Sequence, residues 1–228
     1  MTEAEWESCT IPMRMLEFLG EGASDRKLRL FACACCRRFL DLLPDDDVRS
    51  ALDTAERFAD GMASLAELQE ARRVAYGAYV EFSDTDASGQ FRGWESASLA
   101  VAGACWTEAE GRDAGLLDVV DNTFGLARSE RCRSFTNPRI ERRRQCRDLR
   151  DLFGNPFRPI TFEPNWITSE AAGLALAIDR DRAFDRMPIL GDALEAAGCD
   201  LDPVLSHCRS RHNHIRGCWV VDSILGRS

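Results

Sequence analysis

The chain has 228 residues, 45% of them hydrophobic and 29% charged, enough apolar sequence to bury a core and too much for a disordered chain. Its formal charge of −9 repels bulk nucleic acid and anionic lipid, which argues against non-specific binding to either.

Helical periodicity dominates, and no segment alternates as a strand. Thr2 with Glu5 makes a capping-box start for a short first helix. The same phrase, MTEAEW, is acidic and has no basic stretch leading into an apolar core, so no signal peptide is expected. Ser24-Asp25 should cap a longer helix that runs to about Leu43, where Pro44 stops it. Along it Leu28, Phe31, Cys35, Phe39 and Leu42 recur at helical spacing and should face a core. Asp45–Asp47 open a third helix that ends at Gly61. Ser64 opens a fourth through Leu65, Leu68, Ala71, Ala75 and Tyr79. Residues 83–93 read as a polar loop with two glycines. The Ala-, Ser- and Gly-rich segment Trp94–Trp106 is expected as a closely packed inner helix. Its most apolar part, Leu99 to Trp106, is far shorter than the roughly 20 residues that cross a bilayer, so no membrane span is expected. Residues 107–137 give no clear element.

A helix over Pro138–Phe153 should end at Gly154. The run FGNPFRPITFEPNW then has three prolines, which forbid a helix and favour an extended connector around 154–167. Its aromatic residues should anchor it to the helices. Thr168 caps the next helix, to about Asp181. Asp185 caps another with Pro188 in its first turn and Gly198 at its end. Asp202-Pro203 starts a third through Val204, Leu205, His207 and Cys208. The last helix begins near Gly217 and closes at Gly226. The expected fold is all-α, a compact multi-helix array of antiparallel helical hairpins. An N-terminal helical part, 1–127, and a C-terminal helical module, 138–228, should pack as one body.

The expected location is the cytoplasm, where the ten cysteines would be reduced and would act as small hydrophobes, metal ligands or nucleophiles. Cys33, Cys35 and Cys36 sit within one apolar helix. Three side chains on one continuous helix cannot all face a single ion, so these are expected in the core. Lys27 is the sole lysine, and nine arginines between Arg128 and Arg150 face only Glu130, Glu141 and Asp148. Within that stretch Arg142, Arg143, Arg144 and Arg147 are candidate contacts to phosphate, nucleic acid or an acidic partner. Phe135 is the one aromatic residue there that could stack a base, and a solvated helix pairing with the protein's own carboxylates is the simpler account.

The densest chemistry is His207-Cys208-x3-His212-x-His214-x3-Cys218. Imidazole and thiolate are good zinc ligands, and tetrahedral binding needs four converging donors. This spacing places the candidates His207, Cys208, His212, His214 and Cys218 around a corner between two helices. It matches no standard zinc signature, having neither a CxxC pair nor HExxH. Two other readings use the same residues. In one, the cysteines are buried thiols and the histidines cap a helix end or pair with Asp222. In the other, a last helix beginning at His214 would place His214, Cys218 and Asp222 on one face as an activated thiol.

The phrases MTEAEW, SDRKLRLFACACCRRF, LRDLFGNPFRP, FDRMPILGDALEAAGC and HIRGCWVVDSILG resemble a group of uncharacterised helical proteins abundant in planctomycete bacteria of the Gemmata type. The resemblance implies a bacterial, cytoplasmic, modular origin and carries no activity with it. The tail of that group reads roughly His-x-Arg-Gly-Pro-Gly-Pro-His-Val-Arg-Gly-Cys-Trp. That form corresponds to His207, His214, Cys218 and Trp219, leaves His212 without a counterpart and makes Cys208 optional. The function expected overall is a non-catalytic helical interaction or assembly protein with an unknown protein partner. A zinc-like metal-binding or thiol-dependent protein built on the C-terminal cluster is the alternative. A phosphate- or nucleic-acid-contacting module through Arg128–Arg150 comes third.

Overall fold

The structure, a computed structural model, describes residues 1–43, 45–85, 93–109, 111–128, 136–210 and 213–227. Within these the chain is all-α, with twelve α-helices, short 3₁₀ turns and no strand. Among the described residues no helix is long and apolar enough to cross a membrane, and no disulfide links the described cysteines.

Two compact units divide the chain. One comprises residues 8–147 together with Met1, and the other 2–7 with 148–228. The division therefore falls at 147/148, inside a helix, and not between 127 and 138 as the composition suggested. Residues 2–7 belong with the C-terminal unit.

The first unit contains α2 (Pro12–Leu19), α3 (Asp25–Arg37), α4 (Asp46–Ala59), α5 (Leu65–Thr85), α6 (Trp94–Ala104) and α7 (Arg112–Leu126), with most of α8 (Pro138–Phe153). Consecutive helices pack on one another, α3 on α4, α4 on α5, α5 on α6 and α6 on α7, and α3 also reaches α6 and α7. Short connections between packed neighbours make these helical hairpins. Local chemistry sets several helix starts. The Asp45 side chain accepts the Val48 N–H at 2.8 Å, and Ser64 and Glu67 exchange a capping box, with bonds of 2.7 and 3.2 Å. α3 is shorter than expected. It ends at Arg37, and a tight turn over Leu40–Leu42 follows, so Phe39 and Leu42 reach the core from a turn and not from the helix. Ser24 precedes α3 without a side-chain capping bond.

α6 is the inner helix that its small residues implied. Ala97, Ser98 and every residue from Ala100 to Ala104 are buried. Its closest approach is to α7, where a β-carbon placed on Gly103 would lie 2.7 Å from the Gly115 carbonyl oxygen, and one on Gly115 would lie 2.7 Å from that of Gly103. α7 occupies the stretch that gave no clear element. Its two glycines, Gly115 and Gly125, depress helix propensity, and the pattern of buried Leu116, Val119, Val120, Thr123 and Leu126 makes sense only against α6.

The second unit contains α1 (Glu3–Ser8), the end of α8, α9 (Ser169–Asp181), α10 (Met187–Ala196), α11 (Asp202–Cys208) and α12 (Trp219–Leu225). The capping box at Thr2 and Glu5 is formed, and buried Trp6 donates its indole N–H to the Gly154 carbonyl at 3.0 Å. Gly154 itself ends α8 at φ +62°, and a β-carbon there would stand 3.3 Å from the Trp219 ring. The connector that follows is non-helical apart from a turn over Asn155–Arg158, where Arg158 N–H donates to the Asn155 carbonyl at 3.1 Å, and a 3₁₀ turn at Pro164–Trp166. Phe162 sets edge-on against both Trp166 and Trp219. Thr168 caps α9 by accepting the Ala171 N–H. The next two caps differ from expectation. Asp185 lies in a 3₁₀ turn ahead of α10, which starts without a side-chain cap, and Asp202 is the first helical residue of α11, after Leu201. α9 packs on α10 and α12, and α11 on α10 and α12, around Ile178, Met187, Leu190, Leu194, Val204 and Val220.

Candidate metal centre

Within the second unit four side chains bring one donor atom each into a common space. The last turn of α8 carries Asp151, α11 carries His207, the following loop carries His214, and Cys218 is the residue immediately before α12. All four atoms lie within 4.8 Å of one another. His214 Nδ1 is 2.6 Å from Asp151 Oδ1, and His207 Nε2 is 3.2 Å from the same oxygen. His207 Nε2 is also 3.1 Å from Cys218 Sγ, which lies 3.9 Å from His214 Nδ1. For ligand bonds of about 2.0–2.3 Å, donors around a tetrahedral zinc stand roughly 3.3–3.6 Å apart. Those four distances straddle that value; ligation would open the His214–Asp151 contact and draw in the wider separations, none above 4.8 Å.

The site is sealed. The side chains of Asp151, His214 and His207 are 0%, 2% and 12% exposed, and Cys218 is fully buried. Burial, and then the charge of Asp151, pushes the Cys218 thiol well above its ordinary range, while the N–H groups of Val220 and Val221 hydrogen-bond the sulfur and pull the other way. A divalent cation beside one carboxylate, one thiolate and two neutral imidazoles makes an electroneutral group, which suits a buried position. The outer contacts also suit ligation. Ile215 N–H donates to Asp151 Oδ2 at 2.9 Å. His214 Nε2 is 3.4 Å from Ser210 Oγ, whose hydroxyl donates to the His207 carbonyl at 2.7 Å. Such contacts hold ligand orientation. Behind them the Trp219 ring lies 5.1 Å from that of His207.

The same geometry bears on thiol catalysis. A relay needs the imidazole to meet the thiol through one nitrogen and the orienting carboxylate through the other. Here a single nitrogen of each histidine faces both Asp151 and Cys218, which is convergence on a point and not a chain. α12 begins at Trp219, so His214, Cys218 and Asp222 do not share a helix face. Both histidines meet the carboxylate of Asp151.

Compared with protein-family models, with curated proteins and with solved structures, the chain matches none.

Of the five residues singled out by sequence, the structure joins His207, His214 and Cys218. Cys208 is not one of the four converging residues. It is buried in the core of the unit, where a β-carbon on Gly191 would come within 2.9 Å of it, and burial pushes its thiol up to about 12. His212 lies outside the described residues, as do 129–135 of the arginine-rich stretch. Of the arginines there, Arg142, Arg143 and Arg147 are exposed and Arg144 half-buried. Arg142 stacks over Phe124, 4.1 Å from its ring centre. Cys33, Cys35 and Cys36 are buried in α3 as core. Asp151 was missed. The signal available was the single acidic residue of the phrase LRDLFGNPFRP, just before the apolar Leu152 and close to the helix end, but nothing local ties it to His214, 63 residues on.

Proposed function

We propose that this is a non-catalytic, metal-stabilised helical protein that holds one zinc-like divalent ion through Asp151, His207, His214 and Cys218. The observation that carries the reading is the convergence of four donor atoms, with one nitrogen of each imidazole turned to both the carboxylate and the thiol. Four protein donors in a buried site leave no open coordination position, which is the arrangement of a structural ion and not of a catalytic one. The mixed N, O and S set suits zinc and its neighbours better than calcium or magnesium, which prefer oxygen throughout. In this role the ion ties the end of α8 to α11, to the loop after it and to the start of α12. It thereby adds its binding energy to the folding of a small unit.

The test is elemental analysis of protein purified without a histidine tag, followed by cobalt substitution. One equivalent of metal and a thiolate–cobalt absorption band that Cys218→Ser abolishes support the proposal. A metal content far below one equivalent, with no cobalt band on titration of the stripped protein, overturns it.

A further inference from the structure

The first unit contains a cleft of about 740 Å³, within the range of small-molecule sites, about 300–1,000 Å³. Buried Arg29, Leu68 and Trp106 line it at depth, and exposed Leu65 and Gln69 line it near the surface. Arg29 is only 5% exposed, yet it donates a single hydrogen bond, from Nη1 to the Ala104 carbonyl at 2.8 Å. Among the described residues no carboxylate stands within ion-pair distance of it. Asp25, whose field reaches Arg29, is 70% exposed and turns to Arg112 at 3.2 Å. Arg26, also in the lining, is taken up by Asp60 at 2.8 Å. Aromatic rings cover the Arg29 guanidinium, with Trp106 3.9 Å and Phe58 5.0 Å from its carbon to ring centre. Ring contacts use no N–H group, so most of the five in-plane donors remain available at the cleft. Burial pulls the Arg29 pKa down, as it does for a cation without full compensation.

We propose that this cleft binds a small organic anion, its carboxylate or phosphate accepting the in-plane N–H groups of Arg29 and its apolar body lying along Phe58, Leu68 and Trp106. A buried guanidinium with idle donors recognises such a group edge-on and bidentate. Apolar walls favour a ligand with an aromatic or aliphatic body over a bare ion. The cleft lies in the first unit and the four metal ligands in the second, so either proposal can fail without the other.

Calorimetric titration of the full chain with benzoate, phenyl phosphate and uncharged benzamide tests it. At least one anion is expected to saturate at one site, with benzamide weaker by tenfold or more, roughly the loss of one good polar contact. Arg29→Gln should weaken the anion on the order of 30-fold. Because Arg29 also caps the end of α6 through Ala104, Gln69→Trp provides a second variant, one that narrows the opening and leaves Arg29 in place. It should weaken binding while thermal unfolding stays as in the wild type. The tighter of the two anions identifies the headgroup. Failure of both anions to saturate at millimolar concentration, equal binding of benzamide, or wild-type binding by both variants overturns the proposal.

Discussion

Asp151→Asn is the sharpest perturbation of the candidate metal centre, because it removes a charge and a donor atom without opening a cavity. The carboxylate is fully buried and meets His214 Nδ1 at 2.6 Å, Ile215 N–H at 2.9 Å and His207 Nε2 at 3.2 Å. Asparagine keeps one acceptor oxygen and turns an amide N–H toward a group that is itself a donor. Hydrogen bonds to a charged group contribute about 1.5–3 kcal/mol each, and breaking a buried charged network costs about 3–5 kcal/mol. A loss of about 3 kcal/mol is therefore expected in metal-free protein. An ion at a hundred times its dissociation constant stabilises the wild type by a further 2.7 kcal/mol or so, and the variant gains little of it. Urea unfolding followed by tryptophan fluorescence reads this directly. With metal the variant should lie about 6 kcal/mol below the wild type, and excess chelator should halve the gap by lowering the wild type alone. A variant that loses less than about 1 kcal/mol would refute the network account. A gap that chelator leaves unchanged would refute the assignment of Asp151 as a ligand.

Gly115→Ala should destabilise the first unit by about 1–3 kcal/mol or more, since the new methyl meets a backbone oxygen at 2.7 Å. Gly125→Ala in the same helix meets nothing within 4 Å and should stabilise by about 0.5–1 kcal/mol; circular-dichroism melts compare the two. Thr168→Ala removes the bond to Ala171 N–H and should cost about 0.5–2 kcal/mol in chemical unfolding. Alkaline pH gives a further check. Burial holds Cys105 and Cys208 at about 12 from an ordinary 9.0, so above pH 9 the unfolded chain loses protons that the folded chain keeps. Stability should then fall with rising pH between about 9 and 12, by about 1.4 kcal/mol per pH unit for each thiol. Cys105→Ala with Cys208→Ala should flatten the slope; an unchanged slope would count against these two thiols as its source.

What could be read along the chain is what acts within one helical turn. The capping pairs at Thr2–Glu5 and Ser64–Glu67, the caps Asp45 and Thr168, the stop at Gly154 and the proline-rich connector all depend on side chains reaching backbone three or four residues away. The all-α class follows from the same local periods. Reading became unreliable where a neighbour decides. α3 ends early because Phe39 and Leu42 reach the core better from a tight turn, and α7 was invisible because its glycine-bearing face makes sense only against Gly103 of α6.

The candidate site divides along the same line. The density of His207, His214 and Cys218 marked the C-terminal corner from composition alone. Tertiary packing decided which members converge. It placed Cys208 in the core although it adjoins His207 in sequence, because successive residues on a helix point about 100° apart. It also brought in Asp151, 63 residues before His214, by setting the end of α8 against the corner between α11 and α12. Spacing in sequence can nominate ligands on one turn or one loop. A fourth ligand on a distant helix is fixed only when the core that joins the helices has formed.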